Sequence, residues 1–157
     1  MVKKGLRVLS FSVFLILGAC ATWSSSYEVI RGVDVPRAEL VRLIDRSLPL
    51  GRRAVQDQGR VSLSNYFVIG PGGLTSADDL PERFYAEITI VGDRRPYLLD
   101  IRVHREVRDP GRSGFGHSEY VRKGSNRELA QLVKRRVQRS LSQRRGDFNL
   151  IDDFRAF

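Results

Sequence analysis

The 157-residue sequence predicts an α+β fold. The expected form is a small two-layer sandwich: an antiparallel sheet of three to five strands covered by two amphipathic helices. Three observations carry this. Stretches between Arg60 and Val107 alternate apolar and polar residues with period two, the mark of a sheet with one wet face. Segments 37–48 and 125–145 space their apolar residues three and four apart, so each forms a helix with one apolar stripe. Striped helices and a one-faced sheet bury each other's apolar sides in two layers. Hydrophobic residues make up 41% and charged residues 29%, which excludes a wholly disordered chain. This length suits one domain, placed at 27–157.

The elements follow in order. Tyr27–Val33 alternates loosely and predicts a short first strand. Pro36 suits the first turn of a helix, with Asp34 as its cap. In 37–48, Ala38, Leu40, Val41, Leu43, Ile44 and Leu48 share a face, and Pro49 and Gly51 end the helix. Segment 51–59 is polar and shows no period. Arg60–Ile69 predicts one strand with Val61, Leu63, Phe67 and Ile69 on one face. In Arg83–Val91, Phe84, Ala86, Ile88 and Ile90 share a face. In Tyr97–Val107 the apolar face is Tyr97, Leu99, Ile101, Val103 and Val107, and Asp100, Arg102, His104 and Glu106 oppose it. Gly92–Pro96 joins the last two as a hairpin. Segments 70–81 and 108–126 are rich in Gly and read as surface loops. Ser125 and Glu128 form a capping box for the second helix. Leu129, Leu132, Val133, Val137 and Leu141 make its stripe, and Gly146 ends it. The tail, with Phe148, Leu150, Ile151, Phe154 and Phe157, is apolar enough to dock as an extra strand.

The N-terminus reads as an address. Lys3, Lys4 and Arg7 precede the apolar run Val8–Leu17, ten residues against the roughly 20 that span a bilayer. A basic stretch, a short apolar run and then small residues form a signal peptide. Leu17-Gly18-Ala19-Cys20 resembles the lipobox of bacterial lipoproteins. That resemblance implies removal of residues 1–19 and a diacylglycerol and N-acyl chain on Cys20, with no other cofactor. Cys20 is the one cysteine, which also excludes a disulfide framework and a multi-thiolate zinc site. An ordinary signal peptide cut after Ala19, with Cys20 incidental, is the alternative. In Gram-negative lipoproteins an Asp after the cysteine favours inner-membrane retention, so Ala21 points to the outer membrane, facing the periplasm. In a Gram-positive cell the protein would sit outside its only membrane. Residues 20–26 form a short Ser-rich tether.

Removal of Lys3, Lys4 and Arg7 lowers the formal charge from +9 to +6. The excess concentrates at 122–145, with nine basic residues against one acid, Glu128. At 100° per residue, Lys134, Arg135, Arg139 and Arg145 lie away from the apolar stripe. These are the candidate anion- or partner-binding residues, because a guanidinium fork binds phosphate or carboxylate bidentately. A solvated face is the plainer alternative. In an envelope compartment the anions are lipid headgroups, lipopolysaccharide phosphates, cell-wall carboxylates or an acidic protein, and nucleic acid is not expected.

No catalytic or metal set stands out. His104 sits among charged same-face neighbours. His117 lies in a Gly-flanked stretch with Ser118 and Glu119, without a nucleophile elbow. Gly70-Pro71-Gly72-Gly73 lacks the Lys-Ser/Thr of a phosphate loop. Asp78-Asp79 and Asp152-Asp153 lack the spaced ligands of a calcium loop, and Asp152-Asp153 is expected to pair with helix cations. The sequence therefore predicts a non-catalytic, lipid-anchored interaction or assembly module at the outer membrane. Its inferred layout is similar to lipopolysaccharide-assembly lipoproteins of the LptE kind, with no motif matched residue by residue. The rivals are a binder of anionic lipid, lipopolysaccharide or cell-wall polymer, and a hydrolase using His117 and Glu119.

Overall fold

The computed structural model describes residues 26–114 and 117–152, with side chains for 26–109 and 119–144. The lipobox, Cys20 and the tether up to Ser25 lie outside the described residues. The chain runs β1 (Tyr27–Val33), α1 (Arg37–Ser47), β2 (Arg52–Gln56), a 3-10 turn (Asp57–Gly59), β3 (Val61–Ser64), β4 (Phe67–Gly70), β5 (Gly73–Ser76), β6 (Glu82–Val91), β7 (Tyr97–Gly114), β8 (His117–Ser125) and α2 (Arg127–Asp152). The eight strands form one sheet ordered β1-β7-β6-β3-β2, with β8 also on β7 and the β4–β5 hairpin on β6. Every pairing is antiparallel.

The β6–β7 hairpin is the spine. It keeps register from Glu82 opposite Val107 to Val91 opposite Leu98. That register sets Ala86 against Val103, Ile88 against Ile101 and Ile90 against Leu99, all on one face and all buried. Leu40 and Ile44 of α1 and Leu129, Ala130, Val133 and Val137 of α2 join them in one core. Each large aliphatic side chain so buried contributes about 1.5–3 kcal/mol. In β1 the register slips between Ile30 and Val33, where Gly32 takes φ 68°. This bulge keeps both Ile30 and Val33 in the core.

The sheet is larger than the three to five strands expected, for a physical reason. Segment 51–59 holds β2, an edge strand exposed except at half-buried Ala54, so it carries no period-two signal. Segment 70–81 holds β5, which turns back on β4 with Gly70 opposite Gly73. Segment 108–126 is no loop either. β7 continues through it to Gly114 and β8 returns along it. Ladder hydrogen bonds hold these strands, and none of the described side chains of β2, β5 and β8 is fully buried.

Arg60–Ile69 is two strands, and its apolar residues do not share a face. Val61 pairs with Thr89 and Leu63 with Glu87 on the sheet's outer face. Phe67 instead pairs with Phe84 and enters the core. Between them the Ser64 hydroxyl accepts the Ala86 N–H at 2.8 Å and donates to the Asn65 carbonyl at 2.8 Å. A side chain thus replaces the ladder bond, and the chain crosses to the other face.

The helix ends also differ from expectation. α1 starts after Pro36 with no side-chain cap, so Asp34 does not cap it. Leu50 (φ 53°) and Gly51 (φ 84°) turn the chain into β2, and the Asn65 amide holds the Leu50 carbonyl at 2.6 Å. At α2 the cap is Asn126, whose Oδ1 accepts the Leu129 N–H at 3.0 Å, rather than Ser125. The helix runs through Gly146 to Asp152, so residues 147–152 form no extra strand. The end of the tail, 153–157, lies outside the described residues.

Candidate ligand-binding groove

The position of α2 over the sheet sorts its cations. Lys134 turns toward β1 and donates to Glu28 at 2.9 Å, with Arg127 (3.3 Å) and Gln131 (3.4 Å) on the same carboxylate. The Lys134 hydrogen bond, the largest effect, holds Glu28 below the usual carboxylate range. Lys134 is therefore a clasp between α2 and β1. Arg144 likewise pairs with Glu39, and Ser140 meets Ser47 at 3.0 Å, joining α2 to α1. Arg135 and Arg139 are exposed and have no ion-pair partner among the described residues. Arg145 belongs to α2, and its side chain lies outside what is described.

On the opposite flank α2 meets the β4–β5 hairpin across an open groove of ≈ 270 Å³. Pro49, Phe67, Ile69, Leu74, Leu129 and Leu132 form its apolar walls, and Arg136 stands at the rim. Phe67, only 1% exposed, is its floor. Ile69 (54% exposed) and Leu132 (42% exposed) stand open on its two sides. Arg136 is exposed and without an ion-pair partner among the described residues. Because β4 has crossed faces at Ser64, Phe67 reaches the helix side and the groove exists. A second cleft of ≈ 370 Å³ shares Ile69 and Leu129 and continues toward Phe84 and Glu128. With Glu82, Asn126 and Glu128 among its walls, this cleft is polar as well as apolar.

The sheet's other face is a layer of mutually satisfied charge and aromatic rings. The Arg83 guanidinium lies 3.4 Å from both the Tyr66 and Tyr120 ring centroids and pairs with Glu106 at 2.9 Å. Arg53 covers Tyr66 at 4.1 Å and donates to its hydroxyl at 2.7 Å. Arg122 donates to the Tyr85 hydroxyl. His104, 6% exposed, lies against Tyr85 with ring centroids 4.9 Å apart and meets Glu87 at 3.0 Å. The His104 contact, the largest effect, pulls Glu87 below the usual carboxylate range, while burial raises the Tyr85 phenol.

His117 lies on β8, its backbone opposite Gly114, and Glu119 is exposed opposite Asp109. Glu119 lines none of the clefts described along α2, and the His117 side chain lies outside what is described. Asp78 accepts the Ser76 hydroxyl at 2.7 Å. Among the described residues no group of three or more His, Cys, Asp or Glu could hold a metal, and no helix is long and apolar enough to cross a membrane.

Sequence reasoning missed the groove. It singled out Lys134, Arg135, Arg139 and Arg145 but not Arg136, and placed β5 in a loop. The available signal was Gly73-Leu74-Thr75-Ser76, which alternates as a short strand behind a Gly-Pro-Gly-Gly turn. No protein-family model, curated protein or solved structure matches this sequence.

Proposed function

We propose that the protein is a non-catalytic interaction or assembly module of the cell envelope. In this reading it is held at the outer membrane by acyl chains on Cys20 and faces the periplasm. One observation carries the interaction reading: Arg136 stands at the rim of an open apolar groove, and it and the exposed Arg135 and Arg139 of the same helix have no ion-pair partner among the described residues. Exposed apolar side chains next to free guanidinium groups make the composition of a recognition surface, since arginine and apolar anchors are enriched where partners bind. The lipobox Leu17-Gly18-Ala19-Cys20 supports the anchor, and Ala21 supports the outer membrane. Two or more acyl chains suffice for stable attachment at about 0.8 kcal/mol per buried methylene.

The same unpaired arginines favour a second reading, a binder of anionic lipid, lipopolysaccharide or cell-wall polymer. Crosslinking and pull-down from native membranes separates the two. Capture of one envelope protein by the wild type, lost in Arg135→Glu/Arg139→Glu, supports the assembly module. Retention on anionic liposomes or cell-wall sacculi, lost in that variant, supports the second reading. The anchor is tested separately by Cys20→Ser, which is expected to move the protein out of the membrane fraction.

A further inference from the structure

Resting on the second of those readings, we propose that the groove between α2 and the β4–β5 hairpin holds one acyl chain of an anionic phospholipid, its phosphate bound by Arg136 and Arg139. The argument starts from the walls. Their atoms are almost wholly apolar, and ≈ 270 Å³ lies just below the ~300–1,000 Å³ of sites for drug-sized ligands. That volume suits a length of hydrocarbon chain. Apolar contact without hydrogen-bonding partners in the walls selects no headgroup. The selection falls to the rim.

On α2, residues 132, 136 and 139 fall on one flank at 100° per residue, so the apolar wall of Leu132 continues into Arg136 and then Arg139. Each guanidinium presents a planar fork that matches phosphate. Neither has a carboxylate partner among the described residues, so a phosphate displaces nothing when it arrives. The neighbouring Lys134 is occupied by Glu28, and the cation set free for a ligand is therefore the one nearest the groove.

A second copy of the chain fits less well. A second copy docking through this flank would oppose Arg135, Arg136 and Arg139 with the same three cations.

The test uses the full chain, isolated from membranes with its native N-terminus and reconstituted in phosphatidylcholine vesicles. The vesicles carry a phosphatidylglycerol with a photoactivatable diazirine in one acyl chain. Label is expected on peptides 67–74 and 129–136. Unlabelled phosphatidylglycerol should compete at least about fivefold better than phosphatidylcholine, the worth of one arginine near an anionic headgroup. Leu132→Trp fills the groove and is expected to remove most of the label. Ile69→Trp repeats this from the other wall if Leu132→Trp misfolds. Arg136→Gln/Arg139→Gln is expected to keep the label and lose the headgroup preference.

Label scattered over other strands, equal competition by the two lipids, or labelling indifferent to both tryptophans would overturn the proposal. Vesicle flotation separates this from the anchoring reading. Flotation retained without groove label sinks the groove alone. Groove label from added lipid with flotation unaffected by Cys20→Ser sinks the anchor alone.

Discussion

Ser64→Ala should cost more than any other single-atom deletion in the sheet, and the reason lies at the strand break. The Ser64 hydroxyl accepts the Ala86 N–H at 2.8 Å, and both residues are fully buried. Removing the oxygen leaves that N–H without its acceptor in the core. An unsatisfied buried donor costs about 1–3 kcal/mol. In a domain of this size each kcal/mol moves Tm by roughly 3–5 °C, so the expected loss is about 3–15 °C. Thermal unfolding followed by far-UV circular dichroism measures it. Ser76→Ala, at an exposed position, is the control and should shift Tm by less than about 2 °C. The variant should also weaken groove binding, because the same hydroxyl holds the crossing that delivers Phe67 to the helix side. Equal Tm values for Ser64→Ala and wild type would refute this account of the break.

Acid should destabilise the protein in a defined window. Glu28, Glu82 and Glu87 all have folded-state pKa values below normal, set chiefly by hydrogen bonds from Lys134, Arg105 and His104. The unfolded chain therefore binds protons first as pH falls. The stability is present above the unfolded value of about 4.3 and is lost as pH drops through the lowered folded values. Tm measured from pH 7 to 3 should fall below about pH 4.5, and Glu87→Gln should flatten that fall; an unchanged slope in the variant contradicts the assignment. Lys134→Ala should cost about 1 kcal/mol, because Glu28 loses its closest cation, while Arg135→Ala should stay within about 0.5 kcal/mol; urea unfolding of the two ranks clasp against free cation. Asn126→Ala should cost about 1 kcal/mol and Ser125→Ala almost nothing, and the reverse order would restore Ser125 as the cap.

The parts of the fold that could be read in advance share one property: a helix or the facing strand buries one side of them. β1, α1, β6, β7 up to Val107 and the first four turns of α2 all carry that imprint, in residues such as Leu40, Ile44, Ile88, Ile101 and Val133. β2, β5 and β8 do not, because hydrogen bonds to a neighbour hold an edge strand whatever its side chains are. The binding site was legible in the same uneven way. Arg135 and Arg139 stood out as cations away from the stripe. Lys134 looked identical in the helical pattern, and only the position of Glu28, more than a hundred residues earlier, distinguishes it.

The sequence by itself determined the α+β class, the inward faces of α1, β6, β7 up to Val107 and α2, and a helix dense in arginine. Those properties are periodic and local, so composition and spacing record them. Tertiary structure alone decided the eight-strand sheet, the crossing at Ser64 and the meeting of Phe67, Ile69 and Leu74 with Leu132 and Arg136. The groove's walls come from segments some sixty residues apart. A hydroxyl taking the place of one ladder bond set which face Phe67 would occupy.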